Sequence, residues 1–494
     1  MKKRIAIIDI GSNSARLVIF EHSSQFGFQL ICEEKSKVRI GEGAYAKGGY
    51  LQPHGLERAF LALQSFIRIA KNYHVSKVLC VATSALRDAP NGSKFTKYIQ
   101  QTLGLKIEII DGNKEAFYGG VSTTSLLGIE DCITIDIGGG SSDLARIVKG
   151  RVVETHSLDI GTVRLKELFF DSDKSSSVKK SKEYIATALA VLPATFRHKN
   201  AIGIGGTARA LGKMLMKHTS YPLNKIHGFS YLISEHQVLF NDIVASSAKG
   251  LKRFKIKQDR FDTIREGTLI FSEILKHINA KKVTTSGVGV REGVFLSNSF
   301  KKYDFKTTPN PSITSIMDRF GQFSLEKTIT KRHQYASKLQ EILAPIAKGT
   351  LPIDTIQTAL TLSDIGKNLT VYKAHHHAFY IALQELNYRF SHEQIATIAF
   401  LLRAQDKAKI KKKLYIDYKL LLPAQEDLRW GTFIYTLSLI LGEYGLQNRI
   451  DFNYNNQTLT ITTKTSLYLA KEAIKKIEKP ASFAIIIKDA NLKN

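Results

Sequence analysis

The 494-residue sequence predicts an α/β protein with a mostly helical C-terminal part. Three observations lead there. Over about the first 300 residues, β-branched runs alternate with helical patterns and glycine turns, the signature of strands interleaved with helices. A strand–aspartate–glycine–strand unit occurs twice in that stretch. Beyond Pro311 the apolar residues recur at helical rather than strand spacing.

In chain order, strands are predicted over Ile5–Ile8, Arg16–Phe20, Lys77–Ala82, Lys106–Ile110, Ile133–Ile135, Ala145–Val148 and Lys282–Thr285, where β-branched residues cluster. Helices are predicted over Leu56–Tyr73, Lys114–Ser125, Glu183–Leu192 and Thr263–Ile278. The segment Phe305-Lys-Thr-Thr-Pro309-Asn-Pro311 reads as a linker, because two prolines and small polar residues do not continue a sheet or helix. Helices follow at Tyr335–Ala344 (stopped by Pro345), Asp354–Ser363, His377–Leu386 and His392–Arg403. Strands are expected at Ile450–Asn453, Thr458–Thr463 and Phe483–Ile487.

Composition narrows the function classes. Hydrophobic residues make up 43% and charged residues 23%, ordinary for a globular chain, and the 10 prolines and 34 glycines exclude collagen-like and low-complexity readings. Cys32, Cys80 and Cys132 lie far apart with no CxxC pair, so neither a disulfide framework nor a cysteine zinc site is indicated. The basic start Met1-Lys-Lys-Arg4 is followed by only four apolar residues before Asp9, too short for a signal peptide, and no run is long enough to span a membrane. The expected compartment is the cytoplasm. A formal charge of +27 draws in polyanions, but the lysine clusters lack interleaved aromatics, so no specific nucleic-acid partner and no membrane partner is expected.

The repeat carries the chemistry. Ile5-Ala-Ile-Ile-Asp9-Ile-Gly11-Ser-Asn-Ser is echoed by Ile133-Thr-Ile-Asp136-Ile-Gly138-Gly-Gly-Ser-Ser-Asp143, with Asp136 following Asp9 by 127 residues. Two similar lobes facing a cleft are implied. An aspartate at the end of each strand projects into that cleft, and the following glycines let backbone N–H groups approach an oxyanion. Hydroxyls of Ser12, Ser14, Ser141 and Ser142 and the amide of Asn13 add donors, so the loops can hold a phosphate chain from both sides with Asp9 and Asp136 bringing Mg²⁺. A third glycine turn, Gly203-Ile-Gly205-Gly206-Thr207, opens a helix after a strand and offers free N–H groups; it is neither a Walker A loop nor a dinucleotide fingerprint. Arg87 follows a strand, where it can bind phosphate oxygens or pair with Asp88 or Glu57. Asn113 can cap the helix that carries Glu115 in its first turn, a general base or a partner of the helix dipole.

These segments resemble the exopolyphosphatase/guanosine pentaphosphate phosphatase (Ppx/GppA) family. Asp9–Ser14, Thr83–Asn91, Asp111–Ala116, Asp136–Asp143, Ser157–Leu165, Gly205–Arg209 and Ser286–Gly293 occur in that family's order. The resemblance implies an actin/Hsp70-like fold of tandem ribonuclease-H-like domains, 1–128 and 129–304, followed by an HD-like C-terminal domain at 312–494. It implies that Glu115 is the general base. Arg87, Asn13, Ser14, Gly139, Gly140 and Ser141 would bind phosphate, while Asp136 and Asp143 would hold Mg²⁺ or the attacking water. The family more often has Gly-Gly-Gly-Ser-Thr-Glu where this chain has Ser142 and the shorter Asp143. Ser363 stands where the histidine of the His-Asp metal dyad belongs, so the HD-like domain lacks a complete dyad, and neither His375-His376-His377 nor His392-Glu393 replaces it.

The function this predicts is Mg²⁺-dependent hydrolysis of the terminal phosphoanhydride of polyphosphate or of guanosine pentaphosphate, by a homodimer. The alternatives are an actin-like ATPase or kinase, and a non-catalytic sensor of polyphosphate or guanosine penta- or tetraphosphate.

Overall fold

The computed structural model describes residues 3–489 apart from 45–46, 171–176, 248, 304, 306, 406 and 446–448. Met1 and Lys2 of the basic start, Asp304 at the expected domain end and Lys306 of the expected linker lie outside the described residues. The chain forms two compact units, Met1–Thr308 and Pro309–Asn494.

Unit 1 contains two mixed sheets built on one plan. In the first, β1 (Arg4–Ile10), β2 (Ala15–His22), β3 (Phe28–Ser36), β4 (Lys77–Ala82) and β5 (Ile107–Ile109) lie in the order β3-β2-β1-β4-β5. The second comprises β6 (Cys132–Ile137), β7 (Ser142–Val148), β8 (Arg151–Leu158), β9 (Asn200–Ile204), β10 (Ser230–Leu232) and β11 (Lys282–Thr285), in the order β10-β11-β9-β6-β7-β8. Each sheet thus joins an antiparallel three-strand meander to parallel strands on its other side. The duplication read from the two Asp-Ile-Gly turns is therefore a duplication of topology, with β10 as an added edge.

Parallel neighbours require crossover connections, and helices supply them. α1 (Pro53–Asn72) leads from β3 to β4; α2 (Ser84–Asp88) and α3 (Gly92–Leu103) lead from β4 to β5. α4 (Gly112–Leu127) passes from the first lobe to the second. α5 (Thr162–Leu165), α6 (Ser177–Leu189), α7 (Gly205–His218), α8 (Gln237–Ala245) and α9 (Ile264–His277) belong to the second lobe, and α10 (Val290–Ser299) returns to the first. Central strands read as unbroken apolar runs because both faces are covered: Ile5, Ile7 and Ile8 have no exposed surface. α10 is fixed to the first lobe by Phe295, whose ring lies 4.3 Å from Phe20 and 5.0 Å from Phe28. It packs equally closely on α4, where a Cβ at Gly293 would collide with the Tyr118 backbone.

Two local expectations are corrected. Asn113 does not cap α4. Asp111 does, its Oδ1 accepting from Lys114 N at 2.8 Å, because its extended backbone precedes the first helical residue whereas Asn113 already lies inside the first turn. Pro311 does not end the linker but opens a helix, α11 (Pro311–Phe320), where a missing N–H costs nothing, and Asn310 caps it by accepting from Ser312 and Ile313.

Unit 2 continues with α12 (Glu326–Leu343), α13 (Ile353–Thr361), α14 (Ala374–Glu385), α15 (His392–Arg403), α16 (Lys412–Tyr418) and α17 (Gln425–Tyr444). A small sheet of β12 (Ile450–Asn455), β13 (Thr458–Thr463) and β14 (Ala484–Asp489) closes it, with α18 (Tyr468–Ile474) between the last two strands. Its core is centred on α17, whose Trp430, Phe433 and Tyr435 are wholly enclosed.

Candidate functional site

The site forms in unit 1 where the two Asp-Ile-Gly turns face each other. The first turn is closed by Gly11 N donating to Ser14 O (3.1 Å), the second by Gly138 N donating to Ser141 O (2.9 Å). They abut: a Cβ at Gly139 would sit 2.8 Å from Cβ of Ser12. Glycine is therefore needed there for the lobes to approach. Asn13 and Ser14, on the first turn, and Gly139, Gly140 and Ser141, on the second, are brought to one place.

Strand register sets the acids. Asp136 is the direct partner of Asp143 across β6–β7, and Asp143 of Ser157 across β7–β8, so all three project from one face of the sheet. Asp9 lies opposite Arg16 across β1–β2. Asp143 is 2% exposed; it accepts from Ser157 Oγ at 2.5 Å and from Ser141 Oγ at 3.2 Å. The start of α4 docks on this pair through Gly112, where a Cβ would strike Ser157 and come within 3.3 Å of Asp143 Oδ1. One turn into α4, Glu115 is thereby carried to the same cluster.

Of the partners expected for Arg87, Asp88 is the one it meets, and Glu115 lies beside it. Arg87, just after β4, donates from Nε to Asp88 Oδ1 (3.1 Å) and from Nη1 to Ile110 O (3.4 Å), and Nη1 lies 3.8 Å from Glu115 Oε2. That Oε2 is buried and has no hydrogen-bond partner. Burial, then the charges of Asp143, Asp136 and Asp9, hold the Glu115 carboxyl well above the usual carboxylate range, against the pull of Arg87. Burial likewise raises Asp143, although its bond from Ser157 opposes this, and pushes Asp136 up to about 6. Asp9 rises by burial too, offset by Arg291 and Arg16.

The third glycine turn enters beside them. Asp136 lies against the first residue of α7, where a Cβ at Gly205 would collide with Oδ1, and its Oδ2 is 3.9 Å from the Cβ position of Gly289, the residue capping α10. Two helix N-termini thus converge on one carboxylate, where their N–H groups favour negative charge. At Gly206 the guanidinium of Arg260 takes the open space, its Nη1 2.5 Å from where a Cβ would stand, and Thr207 is buried against Gly267.

Besides Ser141, whose Oγ donates to Asp143, two more hydroxyls read as phosphate donors are engaged inside the protein: Ser12 Oγ shares a 3.0 Å bond with Ser84 Oγ, and Ser142 Oγ donates to Ile160 O at 2.5 Å. Burial at the inner ends of the turns directs both inward. The sequence reading assigned no role to the basic side of the site. Arg291 donates to Glu33 at 2.9 Å and Arg16 to the same oxygen at 3.1 Å, while Arg209 donates to Gly205 O and Gly287 O. Burial and the charges of Arg291 and Arg16 push the Arg209 guanidinium down to about 10. Arg209 and Arg291 stand within quoted motifs, which was the available signal.

Among the described residues, no group of three or more His, Cys, Asp and Glu side chains is placed to hold a metal ion. In unit 2, Arg332 Nη1 donates to Ser363 Oγ at 2.9 Å and to Asp364 Oδ2 at 2.6 Å, so a guanidinium lies against the residues at the dyad position. His375, His376 and His377 lie in the first turn of α14, after Ala374. No helix among the described residues is long and apolar enough to cross a membrane.

A sequence profile of the Ppx/GppA phosphatase family matches residues 18–302. The chain is 31% identical over 300 residues to a bifunctional 3-dehydroquinate synthase/phosphatase of Fusobacterium nucleatum, covering 57% of this chain but only 44% of that protein. It is 27% identical over 316 residues to exopolyphosphatase 2 of Mycobacterium tuberculosis, covering 60% of this chain and 98% of the relative. A crystal structure of the Aquifex aeolicus Ppx/GppA family member superposes with a TM-score of 0.53 at 27% identity, over 62% of this chain and all of that one. The fold of the matched part is α/β, with two lobes on one strand plan, as expected. With more than half of the sequence inside the profile and the duplicated lobes shared with a solved member, the chain belongs to the Ppx/GppA phosphatase family.

Proposed function

We propose that the chain is a hydrolase that removes the terminal phosphate of inorganic polyphosphate or guanosine pentaphosphate by attack of water, with Mg²⁺ as cofactor. The observation that carries this is Glu115: a buried carboxylate whose Oε2 lacks a hydrogen-bond partner, 3.8 Å from an arginine and beside two glycine turns. A carboxylate held above its usual range is tuned toward accepting a proton near neutral pH, as a general base must. Phosphoryl transfer asks the protein mainly for positioning and charge stabilisation, and the residues fit those tasks. Glu115 would orient the water and take its proton. Arg87 would grip the phosphoryl oxygens, and the backbone N–H groups of Gly139 and Gly140, with Asn13, Ser14 and Ser141, would cradle the group. The N-terminus of α7, at Gly206 and Thr207, would receive the phosphate that follows.

The acids suit magnesium in one mode. Mg²⁺ typically takes one or two carboxylates and completes its shell with water and substrate phosphate, so a three-acid cage is not required. Asp136 and Asp143, paired across β6–β7 and both raised by burial, are the donors that fit, with Asp9 facing them from the other lobe. When bound, the ion would neutralise charge on the phosphate chain.

The C-terminal unit is read as an HD-like domain without a metal centre; the Arg332 guanidinium on Ser363 and Asp364 supports an architectural role. Phosphate release from long-chain polyphosphate and from guanosine pentaphosphate, measured in parallel with Mg²⁺, tests the proposal. Release that collapses in Glu115→Gln is the expected result, and their ratio identifies the preferred substrate. Binding without release would leave a sensor.

A further inference from the structure

Asp88 holds an unusual position. Its Oδ1 accepts from Arg87 Nε at 3.1 Å, and its Oδ2 accepts from Arg164 Nη2 at 3.2 Å. Those arginines come from opposite lobes. Arg87 follows β4 in the first; Arg164 is on α5 in the second. Asp88 therefore spans the seam between lobes with one oxygen on each guanidinium, as a phosphoryl group gripped from both sides would.

Arg164 is also mounted on the second glycine turn. Gly138 O accepts from Thr162 N at 3.0 Å, and Gly139 O accepts from Val163 N at 2.8 Å and from Arg164 N at 3.1 Å. Gly161 approaches so closely that a Cβ there would overlap the backbone of Gly139 and Gly140. The side chain of Arg164 thus keeps a fixed relation to the loop proposed to cradle phosphate, and it lies across Asp88 from Arg87, itself beside Glu115. It also pairs with Asp159 at 3.2 Å, but that carboxylate is 74% exposed, against 34% for Asp88, and holds it weakly.

Resting on the proposed phosphohydrolase reading, we infer that Arg164 is a second arginine ligand of the substrate's phosphate chain and that Asp88 is an internal stand-in for that phosphate, displaced when substrate enters. Asp88 then keeps two guanidiniums from repelling one another across the seam and competes with every phosphate that arrives. A partly exposed carboxylate is a weak competitor, so the trade favours a multiply charged phosphate over a singly charged anion.

The test is calorimetric binding of methylenediphosphonate, whose carbon bridge resists hydrolysis, to the full chain with Mg²⁺. Asp88→Asn is expected to tighten binding about two- to fivefold, the range of a partly exposed ion pair. Arg164→Ala is expected to weaken it about tenfold or more, with partial recovery in Arg164→Lys, which keeps charge but not the forked donors. The KM for polyphosphate should move in the same directions. Unchanged or weaker binding in Asp88→Asn would overturn the inference, since Asp88 would then be orienting Arg87; so would unchanged binding in Arg164→Ala. A wild-type protein that releases no phosphate yet shows this binding pattern would refute the hydrolase reading and leave the inference standing.

Discussion

Asp143 in the paired lobes and Asp364 in the helical unit are almost equally buried, 2% and 4% exposed, yet they are treated in opposite ways. Asp364 has cations on both oxygens, Arg332 at 2.6 Å and Lys367 at 2.7 Å, and despite burial its carboxyl is held below the usual range. Asp143 has hydroxyls for close partners and other acids, Asp136 and Glu115, as charged neighbours, and it is held above. A compensated carboxylate acts as a bolt. An uncompensated one leaves the folded state with an unmet demand for a proton, a cation or a reacting group, which is the condition in which side chains do chemistry. Its cost in stability is carried by the well-packed sheets around it.

The largest expected effect is at Glu115. Glu115→Gln should lower phosphate release by about a thousandfold, within the range for a lost general base, while the melting temperature of the lobes rises by about 2–4 °C as a buried charge is relieved. A fall of several degrees would instead class Glu115 with Asp364. Next comes Arg332→Ala, which strands Asp364 and should cost unit 2 about 3–5 kcal/mol in denaturant unfolding. A cost under about 1 kcal/mol would mean that Lys367 alone compensates Asp364.

The two kinds of acid also differ in the sign of their pH dependence. Asp136 binds its proton at about 6 when folded and near 3.8 when unfolded, so its contribution to stability is complete below 3.8 and is lost as pH rises through 6. Asp364, depressed, stabilises above its unfolded pKa of about 3.8, and that contribution is lost as pH falls through its lower folded value. Asp136→Asn in chelator should therefore raise the melting temperature at pH 7.5 by about 2–4 °C and show a smaller gain at pH 5; an equal gain at both would contradict the sign. The smallest effect is Ser157→Ala. Losing the hydroxyl that favours ionised Asp143 should move the acid limb of the pH–rate profile upward by less than about one unit, and a downward shift would remove Asp143 from the titrating cluster.

Much of this was legible in the sequence where burial is two-sided or a helix is amphipathic. β4 and β11 match their expected limits, Lys77–Ala82 and Lys282–Thr285, as does α15, His392–Arg403. Among the elements that the sequence pattern does not mark, two escape for opposite reasons. β3, with its run Cys32-Glu-Glu-Lys35, is an edge strand whose outer positions are polar, so no apolar run marks it. α17 is apolar nearly all round, from Trp430 to Leu441, and a helix enclosed on every side has no polar face to give it a period. At the site, Asp9, Asp136, Glu115 and Arg87 were readable because each sits at the end of a strand or the first turn of the next helix. Arg16, Arg164, Arg209 and Arg291 come from four separate elements, and only the folded sheets bring them to the seam. The inward turn of Ser12 and Ser142 depends on Ser84 and Ile160, which are distant in sequence.

Trp430 is the sole tryptophan of the chain, enclosed in unit 2 with its indole N–H donating to Glu426 at 3.1 Å and its ring parallel to Phe483. Excitation at the red edge of protein absorption therefore addresses the helical unit alone, while the lobes, rich in tyrosine and phenylalanine but lacking tryptophan, stay dark. Emission colour against denaturant would trace the opening of that unit, and its offset from a far-ultraviolet ellipticity curve of the same sample would reveal, without a label or a truncation, whether the two units come apart together.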